Sequence, residues 1–153
     1  MLSKTAAILL LILATVSCQK TQIDLTTHTD VLYDTTLTFK QGDNFEITLK
    51  ENPTTGYIWQ ILPSDLATQG LDKVLKVRGS KYEQDPKSRG AVGHGGVRKF
   101  QFHVIGEGQG NINFFYGRSW EIQKQQDQGL TLESFIQKIV PLKAVSRKQN
   151  TEL

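Results

Sequence analysis

The stretch Val97-Arg98-Lys99-Phe100-Gln101-Phe102-His103-Val104-Ile105, VRKFQFHVI, puts Phe100, Phe102 and Val104 at every second position. Side chains two apart lie on the same face of an extended chain, so this period predicts a strand with one buried face. The stretch Phe45-Glu46-Ile47-Thr48-Leu49 repeats the pattern with Phe45, Ile47 and Leu49, while Val97 falls out of register near a loop. Outward from these two, short runs rich in β-branched and aromatic residues recur at 35–40, 57–62, 73–82, 110–117 and 133–142. Gly42-Asp43, Gly56, Gly90 to Gly96 and Gly106 to Gly110 punctuate them. No long helical period competes, and the pattern predicts an all-β sandwich of about seven strands with Greek-key or meander links. The Gln-rich segment 121–130 reads as a long exposed loop before the last strand. From about Lys143 the chain is charged and is expected to be a flexible tail.

At the other end, Lys4 precedes an apolar run from Ala6 to Val16 that is too short to span a membrane, the pattern of a secretory signal peptide. Cleavage is expected after Cys18, leaving residues 19–153 as one domain, with destinations that include release, a periplasm or lysosome-like vesicles. Lipid attachment at Cys18 is the less favoured reading, because Thr15 stands where a lipobox has Leu. Loss of Lys4 takes the formal charge from +3 to +2, and the basic residues are scattered among acids, which argues against nucleic acid as a partner. Cys18 is the one cysteine of the chain, so the expected mature part has neither a disulfide nor a thiolate ligand, and its core must suffice alone. The Asn52-Pro53-Thr54 triplet is spoiled as a glycan acceptor by its Pro.

Catalytic groups are hard to find. His28, His94 and His103 have no zinc-like spacing, and His103 reads as a solvent-facing strand residue. A hydrolase built on His94, Asp85 and Ser88 lacks a convincingly spaced acid–base pair. Gly106-x-Gly108-x-Gly110 joins two strands without a following helix and reads as a hairpin turn, not as a phosphate loop. Trp59 begins an apolar strand and suits a core anchor. Neither a metal nor a cofactor is expected.

Three other features look like recognition elements. In Asn52-Pro53-Thr54-Thr55-Gly56-Tyr57, Pro53 fixes φ and Gly56 permits a tight exit, so Thr54 and Thr55 stand at the tip of a stiff projection. In Gly93-His94-Gly95-Gly96 the bare backbone admits close approach by another surface. In Arg118-Ser119-Trp120 an indole follows a strand in polar surroundings, and Trp and Arg often dominate binding energy. The three follow alternate strands, which places them at one end of a sandwich. A carbohydrate-binding or adhesion module stacking sugars on Tyr116 and Trp120 is the alternative reading, but it leaves the first two loops without a purpose.

In this order and spacing, Asn-Pro-Thr-Thr-Gly-aromatic, Gly-x-Gly-Gly and Arg-x-Trp resemble the chagasin family of cysteine protease inhibitors over nearly the whole expected domain. Ser119 departs from the pattern, where the family usually has Pro. The resemblance implies a monomeric, non-enzymatic protein with an immunoglobulin-like sandwich, whose partners are papain-like, cathepsin-like cysteine proteases. It implies that Pro53, Thr54 and Thr55 sit over the target's Cys–His pair. Gly93 to Gly96 would lie along one side of the cleft, and Arg118 with Trp120 would press on the other. Binding would be tight, reversible and without covalent reaction. Ser119 removes a φ restraint, which implies a looser third loop.

Overall fold

The computed structural model describes residues 20–88 and 93–148; the expected signal peptide, Cys18 and Gly90 lie outside these residues. The described residues form eight strands: β1 (Thr21–Asp24), β2 (Leu37–Lys40), β3 (Asn44–Glu51), β4 (Ile58–Gln60), β5 (Leu75–Gln84), β6 (Gly96–Val104), β7 (Gly108–Gly117) and β8 (Ile136–Val145). One sheet has the order β1-β3-β6-β5 and the other β2-β8-β7-β4, so the fold is the immunoglobulin-like sandwich that the alternating segments predict. Phe45, Ile47 and Leu49 of β3 and Phe100, Phe102 and Val104 of β6 are all buried, as their period requires. They meet Ile112 and Phe114 of β7 and Val140, Leu142 and Ala144 of β8 across the gap. Phe45 is stacked between Phe39 and Phe102, with ring centroids 4.1 and 4.7 Å away.

The structure departs from the sequence reading in several places. β1 is additional: its polar TQID carries no alternation signal, and it is held by parallel pairing of Thr21 to Asp24 with Phe45 to Thr48. The run 57–62 shrinks to the three residues of β4, because Pro63 starts a short helix, α1 (Pro63–Thr68), whose Leu66 is buried. The loop expected at 121–130 is instead mostly a second helix, α2 (Ser119–Asp127). Ile122 anchors it, buried with Leu62 and Phe115, and Gln123 adds a bond to Asp127 one turn on. The last strand continues past Lys143 to Val145, since β2 pairs alongside it and Leu142 and Ala144 are core residues. The expected tail therefore does not begin at Lys143. The turn between β6 and β7 is not the hairpin expected there: the two strands belong to different sheets, so it carries the chain from one sheet to the other, and Gly108 and Gly110 belong to β7 itself.

His103 is half-buried, its ring bonded to Asn44 Oδ1 at 2.9 Å. Trp59 is partly buried against the core, and its Nε1 donates to the Lys50 carbonyl at 2.7 Å. Buried Lys138 donates to the carbonyls of His28 and Asp30, tying the segment before β2 to the second sheet; burial lowers its pKa below the usual lysine value.

Phe45→Ala removes the middle ring of the three-ring stack and should cost about 3–5 kcal/mol of folding stability. Urea denaturation monitored by circular dichroism checks this, with a loss below about 1 kcal/mol contradicting the assignment of that stack to the core.

Candidate functional site

Strand β3 ends at Glu51, and the next residues turn sharply through a single 3-10 turn, Pro53–Thr55. Pro53 supplies the φ that such a turn needs at its first position. The Asn52 side chain caps the turn, accepting from the Thr54 amide at 3.4 Å and from the Thr54 hydroxyl at 2.8 Å. Gly56 closes it with φ +82°, its N–H donating to the Pro53 carbonyl at 2.9 Å. The left-handed φ requires glycine here, and a Cβ would also sit a tight 3.2 Å from the Trp120 ring. The side chains of Thr54 and Thr55 are left exposed at the tip.

The other two loops are bonded to this turn. From the β5–β6 connection, the Gly93 carbonyl accepts from Asn52 Nδ2 at 3.2 Å, and Gly95 lies so close that a Cβ would meet the Glu51 carbonyl oxygen at 2.7 Å. His94 is exposed between them. From the end of β7, Arg118 Nε donates to the Thr55 carbonyl at 3.3 Å. The Arg118 guanidinium also lies 5.0 Å over the Tyr57 ring and 5.8 Å over the Trp120 ring, a cation held between two aromatic faces. Its Nη1 reaches Glu121 on the first turn of α2. Trp120 is 63% exposed, the most exposed large apolar side chain among the described residues. All thirteen candidate residues, Asn52 to Tyr57, Gly93 to Gly96 and Arg118 to Trp120, thus gather at one end of the sandwich.

Beneath them lies a layer of residues that sequence reading missed. Glu51 is 1% exposed. Its Oε2 accepts from Arg98 Nε at 2.7 Å and from the Trp59 amide at 2.8 Å, and its Oε1 accepts from Arg98 Nη2 at 2.8 Å. The Trp59 N–H belongs to β4, an edge strand of the opposite sheet, so one carboxylate bridges the two sheets. The Trp59 ring packs against Tyr116 at a tilt, with centroids 4.8 Å apart, and Tyr116 in turn contacts Tyr57 and bonds to the Asn52 backbone. Burial, then the nearby Glu51 charge, raises the Tyr116 phenol above its usual pKa. Parity was the available signal: Glu51 continues the inward series 45, 47, 49, and Arg98 begins the inward series 100, 102, 104.

Among the described residues, no group of three or more His, Cys, Asp or Glu could hold a metal. The arrangement is a built projection, with hydroxyls at its tip, bare backbone on one flank and an indole on the other. The family model described as Chagasin family peptidase inhibitor I42 matches residues 38–133, a span that takes in all three loops. The chain belongs to the chagasin family.

Chagasin-family members are peptidase inhibitors, and the chain is accordingly a cysteine protease inhibitor and not an enzyme. It is similar to two proteins of Entamoeba histolytica. Amoebiasin-1 is 33% identical over 106 residues, which cover 68% of this chain and 92% of that protein. Amoebiasin-2 is 31% identical over 97 residues, 63% of this chain and 72% of the relative. The fold is similar to the crystal structure of the cysteine protease inhibitor EhICP2 from the same organism, with TM-score 0.53 and 23% identity over 84% of this chain and 98% of that one. The solution structure of Amebosin matches with TM-score 0.51 and 24% identity over 84% and 99% of the two chains.

Ser119, where the family usually has Pro, is the first residue of α2, and Arg118 before it is extended at φ −79° and ψ 131°. That is the conformation a following proline demands, and the first helical position tolerates proline well. The looseness implied by Ser119 is therefore opposed by the bonds that Arg118 makes to Thr55 and Glu121. Ser119→Pro should fit without strain and raise stability by about 0.4–1 kcal/mol. Thermal unfolding checks this, with a lower melting temperature contradicting it.

Proposed function

We propose that this chain inhibits papain-like cysteine proteases reversibly, by seating its three loops together in the active-site cleft without being cleaved. The observation that carries the reading is that the loops are already bonded to one another, Asn52 to Gly93 and Arg118 to Thr55. A surface ordered beforehand loses little conformational freedom on docking, so more of its contact energy appears as affinity. The capped turn gives the loop its own internal bonds. Its peptide groups are then held in place by Asn52 and Gly56 instead of being free to adopt the geometry of attack.

Each loop then has a task. The exposed hydroxyls of Thr54 and Thr55 meet the polar catalytic Cys–His centre, Thr54 as an acceptor because its proton goes to Asn52, and Thr55 as donor or acceptor. Gly93 to Gly96, with His94, run along one wall as backbone. Arg118 and Trp120 cover the other wall with planar, largely apolar area. The adhesion-module reading loses support because Tyr116 is packed against Trp59 and Tyr57 and so is not free to pair with Trp120 as a sugar platform. We further propose passage through the secretory pathway, supported by Lys4 and the apolar run Ala6 to Val16.

Titration of papain with the purified protein should abolish activity at one inhibitor per enzyme, with the inhibitor recovered intact. Full activity with equimolar micromolar protein would contradict the proposal. Trp120→Ala should weaken inhibition by roughly 30-fold, the loss of about 2 kcal/mol typical of a dominant interface residue, and mainly through faster dissociation. Thr54→Trp should obstruct entry of the central loop and abolish inhibition at the same concentrations. Surface plasmon resonance on immobilised papain checks both, and unchanged rates in both variants would mean that the loops do not form the contact.

A further inference from the structure

We infer that Glu51 and Arg98 are positioning residues for inhibition, a buried ion pair that fixes how the three loops stand relative to one another. This rests on the reading that those loops contact the protease. The two residues are diagonal neighbours in adjacent strands, Arg98 opposite Leu49 and Glu51 opposite Gly96 in the register of β3 and β6, and both sit on the core-facing side. Glu51 opens the first loop, and Arg98 comes two residues after Gly96, which closes the second. The Trp59 amide that Glu51 also holds comes three residues after Gly56, on the far side of the first loop. The Glu51 carboxylate therefore grips both roots of the central turn and, through Arg98, the base of the Gly-rich loop.

The third loop joins by packing. Tyr116 packs at a tilt against Trp59, bonds to the Asn52 backbone and lies two residues before Arg118. Arg98 is itself held in orientation, with Nη1 bonded to Ser80 Oγ at 3.3 Å and its guanidinium 6.0 Å from the Tyr82 ring centre. The Glu51 side chain has 0% exposure and that of Arg98 16%, so no target side chain has to touch the carboxylate for it to matter. A buried ion pair is a poor way to gain stability, because an apolar pair of the same volume often does as well. Its planar, directional bonds do fix geometry, since the guanidinium fork admits one orientation of the carboxylate. Losing that geometry would split the loop end into several arrangements, of which few fit the cleft. The apparent affinity then falls with the competent fraction, and the fall appears in association.

The test uses Glu51→Gln and Arg98→Lys, with the core substitution Leu142→Val at the opposite end of the sandwich as the stability control. Glu51→Gln keeps the shape and removes the charge; Arg98→Lys keeps the charge and removes the fork. Melting temperature and the association and dissociation rates with papain are measured for each. Both pair variants should associate roughly tenfold more slowly, as expected if only about a tenth of molecules hold the competent arrangement. Dissociation should change far less, and Leu142→Val should associate at the wild-type rate despite its lower melting temperature. A wild-type association rate in either folded pair variant would overturn the inference, as would an equal slowing in Leu142→Val. If one pair variant does not fold, the other decides. Failure of the wild-type protein to inhibit papain would instead sink the functional reading itself, and is seen before any variant is compared.

Discussion

A carboxylate with no access to solvent must have its lone pairs filled, because leaving a buried charge unpaired costs several kcal/mol. Glu51 meets that demand with two bonds from Arg98 and one from the Trp59 amide, and in doing so it spans the gap between the sheets at the point where the three loops leave them. The rest of the functional end is organised around this constraint. The β4 edge would otherwise present an unpaired N–H; here it is capped from the opposite sheet. With both roots of the central turn fixed, the turn itself needs only a cap at Asn52, a φ at Pro53 and a left-handed exit at Gly56. Six residues then suffice for a stiff projection.

The loops are also bonded at their upper level, and the two levels differ in kind. Below, the bonds are buried, charged and directional. Above, they are half-exposed contacts such as Asn52 to Gly93 and Arg118 to Thr55, individually modest and open to water. This division suits an inhibitor. The base fixes where the loops stand, while the rim leaves side chains such as Thr54, Thr55 and Trp120 exposed. Ser119 fits the same logic, since the restraint that a proline would supply is partly supplied by the neighbouring Arg118.

What the sequence revealed depended on how strongly a pattern repeats. Phe45, Ile47 and Leu49, with Phe100, Phe102 and Val104, gave the two central strands, and every one of these side chains is in the core. The three motifs gave the inhibitor family, since their order and spacing are far more specific than any one of them. Helix α2 escaped because Ile122 is its single buried residue, and one buried position in nine sets no period. Strand β1 escaped because its polar residues are held by backbone pairing with β3 and by few side-chain contacts. Glu51 and Arg98 were overlooked for the opposite reason. They lie in phase with the inward series of their own strands, and a charge in phase with a core is a sign of a buried partner that the alternation itself could have disclosed.

The central claim is that the three loops stand in their binding arrangement before any protease arrives. Backbone amide exchange on the free protein, compared with its complex with papain, tests this most directly. Gly56, whose N–H is bonded to Pro53, and Trp59, whose N–H is bonded to Glu51, should be protected in the free protein and gain little on binding. Rapid exchange at both amides in the free protein, with protection only in the complex, would show that the protease orders the loops and would contradict the account.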